Sequence, residues 1–94
     1  MLDLTLFSTP TCNSCKIVEK ALRDQTAVPL ALFVVDVLRD PAAAQRYGVM
    51  SVPSLLLMRK SRLVRMWRGM PPLSMLMREL AEYSKEPSDP VVVE

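Results

Sequence analysis

The two cysteines of this 94-residue chain, Cys12 and Cys15, stand three positions apart at a point where the hydrophobic pattern changes period. Before them, Leu2, Leu4 and Leu6 alternate with Asp3, Thr5 and Phe7. That period of two predicts a strand ending at Ser8-Thr9-Pro10, because proline stops the ladder. After them, Ile17, Val18, Ala21 and Leu22 form one helical stripe, with Lys16, Glu19, Lys20 and Arg23 opposite. Glu19 and Arg23 are spaced to pair along that helix. The first strand thus delivers the chain directly to Cys12, and the pair occupies the helix start.

Farther on, Leu30 to Val35 is apolar without alternation and rich in strand formers, which predicts a strand covered on both faces. Strand, helix and strand over this distance make a parallel βαβ unit. Asp40 has the character of an N-cap, Pro41 of a first helical residue, and Gly48 of a stop after a short helix over Ala42 to Tyr47. Ser54 to Arg59 and Arg62 to Trp67 flank Lys60-Ser61 as an antiparallel hairpin whose turn lacks the favoured Asn-Gly chemistry. Leu73, Leu76, Met77 and Leu80 then recur at helical spacing. The order expected is β-α-β-α-β-β-α, one domain over residues 1–84, with a loose C-terminal tail over 85–94.

Composition removes several kinds of chemistry. The chain has no histidine, so Cys-His pairs, Ser-His-Asp triads and imidazole zinc sites are excluded, and two cysteines supply only half of an all-cysteine metal site. The two glycines, Gly48 and Gly69, stand apart and make no phosphate-binding loop. A net charge of +2 gives no broad positive field, so nucleic acid is not expected. No basic leader precedes the first apolar residues and no uncharged run could cross a bilayer, which points to a cytoplasmic protein without a membrane partner.

What remains is sulfur chemistry. Residues i and i+3 on the first turn of a helix hold two thiols close enough to close and reopen a disulfide. At a helix start, free N–H groups and the positive dipole end favour a thiolate, which makes Cys12 the candidate nucleophile. Cys15, one turn in, is then the candidate resolving thiol, and Lys16 adds positive potential beside the pair. Half a zinc site, or an incidental pair, would show the same spacing.

The stretch from Leu4 to Lys16, with Pro10, Thr11 and the Cys12-Asn13-Ser14-Cys15 motif, resembles the first strand and active-site helix start of glutaredoxins and short thioredoxins. Tyr47-Gly48-Val49-Met50-Ser51-Val52-Pro53-Ser54 is similar to the thioredoxin segment that ends in Val-Pro, and the likeness covers about residues 2–82. This resemblance implies an α/β thioredoxin-like fold, a mixed four-stranded sheet flanked by helices. It also implies a cis bond at Val52-Pro53 beside the cysteines, with the Val52 backbone pairing an extended substrate. Gly69 would let that substrate approach, and Met70 is the best placed of the methionines to line the groove. Read from the residues alone, Pro53 could merely begin a strand.

Three departures from the family pattern stand out. The chain starts at what would be the second strand of a full-length thioredoxin. Leu6 occupies the place of the thioredoxin aspartate six residues before the first cysteine, and Thr11 that of a tryptophan. Where glutaredoxins carry a Gly-Gly-x-x-Asp-like stretch, this chain has Arg68-Gly69-Met70-Pro71-Pro72-Leu73, which removes the warrant for carrying over glutathione binding.

The resulting expectation is a monomeric protein-disulfide reductase. Cys12 and Cys15 are catalytic, Thr11, Val52, Pro53, Gly69 and Met70 bind substrate, and Pro10 and Lys16 support the pair. Its redox group is the Cys12-Cys15 disulfide itself, with no bound cofactor or metal; its partners are disulfide-containing clients and an external reductase of the thioredoxin-reductase kind. The rival expectations are a non-catalytic thioredoxin-fold binding module and a metal site shared across a dimer. The binding module would use the basic hairpin of Arg59, Lys60, Arg62, Arg65 and Arg68, or the Met-rich surface.

Overall fold

A computed structural model describes residues 2–85. Its elements follow the expected order: β1 (Leu2–Ser8), α1 (Asn13–Asp24), β2 (Leu30–Asp36), α2 (Pro41–Arg46), β3 (Ser54–Arg59), β4 (Arg62–Arg68) and α3 (Leu73–Lys85). The sheet runs β2-β1-β3-β4, with β1 parallel to β2 and antiparallel to β3, and β3 antiparallel to β4. The predicted mixed four-stranded sheet flanked by helices is therefore the observed architecture. The expected tail lies outside the described residues except for Lys85, which is the last residue of α3.

Alternation along β1 sends its two faces to different partners. Leu2, Leu4 and Leu6 join Leu55, Leu57 and Trp67 in the main core, closed by Val18 and Leu22 of α1 and by Leu76 and Leu80 of α3. Phe7 has the opposite parity and meets Tyr47, at the C-cap of α2, with ring centroids 6.3 Å apart. The two longer helices thus cover one face, and α2 covers part of the other. Local signals at α2 act as expected: the Asp40 side chain accepts the Ala43 N–H at 3.2 Å, Pro41 opens the helix, and Gly48 takes φ +68° beyond it.

Two expectations fail, both from equating apolar residues with buried ones. Strand β2 is an edge strand rather than one covered on both faces, and Phe33 is 53 % exposed. Its apolar run matches a strand covered on both faces in composition, but adjacent Phe33 and Val34, on opposite faces, are both exposed, because what packs over each face decides burial. On α1 the buried stripe is Cys15, Val18 and Leu22, while Ile17 points away at 53 % exposure. One residue's rotation about the helix axis, roughly 100°, separates Ile17 from Val18.

The hairpin closes on Lys60 and Ser61, with φ of 50° and 65°, so this two-residue turn takes the left-handed geometry at both positions without glycine. A register shift between Leu57 and Met58 accompanies it. The basic cluster is partly tied to α3: Arg59 donates to the Tyr83 carbonyl, and Arg65 lies 3.3 Å from Glu79 and over the Trp67 ring.

Glu79 also accepts the Trp67 indole N–H at 2.8 Å, so one carboxylate serves a buried tryptophan and an arginine. Glu79→Ala leaves that indole N–H without its acceptor and is expected to cost about 1–3 kcal/mol, with Glu79→Gln costing less because an acceptor remains. Urea unfolding checks this; equal losses for the two variants would mean the hydrogen bond is not what matters.

Candidate redox site

Strand β1 ends at Ser8, and the chain turns through Thr9-Pro10-Thr11, where the Cys12 N–H donates to the Thr9 carbonyl at 3.2 Å. Cys12 is the N-cap of α1, with extended backbone angles of φ −86° and ψ 106°. Its Sγ accepts the Cys15 backbone N–H at 3.1 Å, the role that a serine or aspartate oxygen fills at other helix starts. Lys16 donates its backbone N–H to the Cys12 carbonyl at 3.2 Å, beginning the helical ladder, and its side chain is exposed.

No acidic residue sits in the first turn of α1 to offset the positive helix end. Charges farther along form i,i+4 pairs, Lys20 with Asp24 and Glu19 with Arg23. The hydrogen bond from Lys20 to Asp24, together with the attraction of that carboxylate, raises the Lys20 ammonium above its usual range.

Cys12 and Cys15 are joined in a disulfide with their Cα atoms 5.2 Å apart. Their exposures differ. Cys12 is partly accessible, whereas Cys15 is 2 % exposed and points into the protein. An incoming group can reach one sulfur and not the other.

Sheet topology gathers the remaining expected site residues at the same end. Ser8 pairs with Asp36, Phe7 with Ser54 and Ser54 with Arg68, so the segments following β1, β2 and β4 and the one preceding β3 converge there. The Val52-Pro53 bond is cis; Pro53 is buried and Val52 half-buried. Gly69, at φ +89°, donates its N–H to the Pro53 carbonyl at 2.9 Å, which ties these two candidates together directly. That φ favours glycine, although a side chain there would meet open space.

Pro10 and Thr11 are exposed beside the cysteines, and Met70 is exposed after β4. Met50, two residues before Val52, is more exposed still at 96 % and borders a cleft of about 330 Å³ with Val49, Ser51 and Val52. Sequence patterning favours Met70 and does not single out Met50 from the other methionines. Nor does it single out Ser8 and Asp36, which line a second cleft of about 170 Å³ beside Cys15. The signal for these lay in strand register, since both are the last residues of parallel neighbours. No cluster of three or more metal-ligating side chains occurs among the described residues.

A family model described as "Glutaredoxin-like domain (DUF836)" matches residues 3–82, nearly the whole of the described chain. The chain belongs to this glutaredoxin-like family. It is also 41 % identical, over 49 residues, to the thioredoxin-like protein YosR derived from the SPbeta prophage of Bacillus subtilis (strain 168). That match covers 52 % of this chain and 58 % of YosR.

Among solved structures, a mutant thioredoxin from Halobacterium salinarum NRC-1 superposes with a TM-score of 0.80 at 27 % identity, covering 92 % of this chain and 77 % of its own. The germline-specific thioredoxin Deadhead from Drosophila melanogaster gives a TM-score of 0.74 at 22 % identity, covering 86 % and 79 %, and shares the fold. A thioredoxin-like fold carrying a Cys-x-x-Cys pair joined as a disulfide supports a redox function for this glutaredoxin-like protein.

Proposed function

We propose that this glutaredoxin-like protein is a dithiol-disulfide oxidoreductase that reduces disulfides in client proteins. The observation that carries the reading is the asymmetry of the pair: Cys12 Sγ accepts a helix-start N–H and is accessible, while Cys15 is buried behind it. Once the pair is reduced, the N–H groups and dipole at this end of α1 stabilise Cys12 as a thiolate. That thiolate attacks a client disulfide, forming a mixed disulfide and releasing one client sulfur. Cys15 then attacks Cys12 Sγ, closes the internal disulfide and releases the second client sulfur. Two electrons pass to the client, and an external reductase returns them to the pair.

The client is held as an extended segment along the Val52 backbone. Pro53 and Gly69 form the floor of the groove and Thr11 and Met70 its rim, while Pro10 supports the pair. Lys16 adds positive potential near the reacting sulfurs. The reducing conditions of a cytoplasm suit the direction of transfer.

Two linked measurements test the proposal: reduction of insulin in the presence of a dithiol donor, and the equilibrium reduction potential of Cys12-Cys15. Turnover of insulin with a potential near that of thioredoxin, about −270 mV, is the expected result. A potential nearer about −120 mV would recast the protein as an oxidant, and failure to form an internal disulfide in solution would end the enzyme reading.

A further inference from the structure

We propose that the cleft beside Cys15 is the exit route for the proton of the resolving thiol, with Asp36 positioned to receive it through water. The inference rests on Cys12 and Cys15 acting as an exchanging dithiol. Closing the internal disulfide requires Cys15 to attack as a thiolate, yet Cys15 is 2 % exposed, and a thiol shielded from water ionises reluctantly. Leu6 is fully buried in β1 and supplies no carboxylate at its position, and Asp3, the acidic residue of that strand, lies toward its opposite end from the pair. The proton therefore needs a different acceptor.

The cleft supplies one. Ser8, Thr9, Pro10, Lys16, Glu19 and Asp36 line it together with Cys15, and its volume of about 170 Å³ has room for several waters, each occupying about 30 Å³ in the liquid. Three of these residues carry charge, and their chemistry separates them. Lys16 as an ammonium only donates. Glu19 is paired with a cation, its Oε2 accepting from Arg23 Nε at 2.8 Å, whereas the carboxylate of Asp36 meets only a neutral backbone N–H.

Asp36 is held in place at the end of β2. It lies opposite Ser8 in the β1–β2 register, its Oδ1 accepts the Leu38 N–H at 2.9 Å, and its carbonyl accepts the Arg39 and Asp40 N–H groups. One anchored oxygen leaves the carboxylate with further lone pairs for a water. The charged residues that line the cleft with Asp36 are Lys16 and Glu19 from α1, and Arg39 and Asp40 follow it in the turn it initiates; the end of β1 and the turn after it contribute the neutral Ser8, Thr9 and Pro10.

In the mixed disulfide, Cys15 S–H gives its proton to water as the water gives one to Asp36. Cys15 sulfur then bonds to Cys12 Sγ while the bond from Cys12 Sγ to the client sulfur breaks, and the departing client thiolate takes up a proton. Asp36 acts through water and is a positioning residue.

The aromatic disulfide dithiobis(nitrobenzoate) separates the two attacks in one trace. Cys12 releases the first coloured thiolate, and Cys15 releases the second. Asp36→Asn keeps an oxygen for the Leu38 N–H and removes the charge. The expected result is an unchanged first phase, which also reports that the variant is folded, with a second phase slowed at least about tenfold near neutral pH and recovering as pH rises.

Coincident second phases for Asp36→Asn and wild type across the pH range would overturn the inference, as would equal slowing of both phases. If Glu19→Gln produces the selective slowing instead, Glu19 is the acceptor and the assignment to Asp36 falls. A wild-type protein that shows a first phase and no second loses the dithiol reading itself, a failure distinct from that of Asp36.

Discussion

Replacing Cys12 with serine is expected to lower disulfide reduction by a factor on the order of 1,000 or more, leaving a folded protein without turnover. Serine is a favoured N-cap, so its hydroxyl can take over the hydrogen bond that Cys12 Sγ now accepts from the Cys15 N–H. The start of α1 therefore survives the change, and the loss is chemical. A serine hydroxyl does not ionise near neutral pH even at a helix N-terminus, and the remaining sulfur, Cys15, is buried. Cys15→Ser has the opposite signature: the first attack proceeds, the second cannot, and mixed disulfides with clients accumulate. Insulin turnover and intact-protein mass measure the two effects. Retention of more than about a tenth of the wild-type turnover by Cys12→Ser would falsify the assignment of the nucleophile.

The same asymmetry explains why the elements around the pair matter. In the proposed reaction, Cys12 draws on a helix end that is free of acidic side chains in its first turn, and attack at Cys12 rather than Cys15 draws on burial one turn later. Both follow from placing the pair at the junction of β1 and α1, since the strand anchors the helix start while Val18 and Leu22 press the next turns onto the sheet. The sheet register then brings Val52-Pro53, Gly69 and Asp36 to that end without any local sequence signal linking them.

That difference separates what could be read in the sequence from what could not. The period-two run before Cys12, the Asp40-Pro41 start and Gly48 stop of α2, and the spacing of Leu73, Leu76 and Leu80 are local patterns, and each corresponds to an observed element. The edge position of β2, the outward rotation of Ile17 and the bond from Trp67 to Glu79 depend on which elements become neighbours. An apolar residue announces that burial is affordable, not that a partner will cover it. The candidate site divides the same way: Cys12 and Cys15 are legible from spacing, whereas Asp36 enters only once β1 and β2 are laid side by side with Ser8 and Asp36 in register.

Leu4→Ala is expected to be the most damaging substitution for the fold. Leu4 lies on β1, with Leu32 opposite on β2 and Leu57 opposite on β3, and none of its surface is exposed. Its face of the sheet is closed by α1 and α3, so neighbouring chains on several sides limit collapse into the vacated space. Truncating a buried leucine costs about 2–5 kcal/mol, against a total of roughly 5–14 kcal/mol for a domain of this size. At about 4–8 °C per kcal/mol, a loss near 3 kcal/mol lowers Tm by roughly 12–24 °C. Ile17→Ala removes an aliphatic side chain of the same volume from a half-exposed site on α1, where alanine also has the better helix propensity, and should change stability by less than about 0.5 kcal/mol. Thermal and urea unfolding of the pair therefore test burial rather than hydrophobicity. Similar losses for the two variants would mean that Ile17 is covered in solution, while a loss below about 1 kcal/mol for Leu4→Ala would contradict the placement of β1 at the centre of the core.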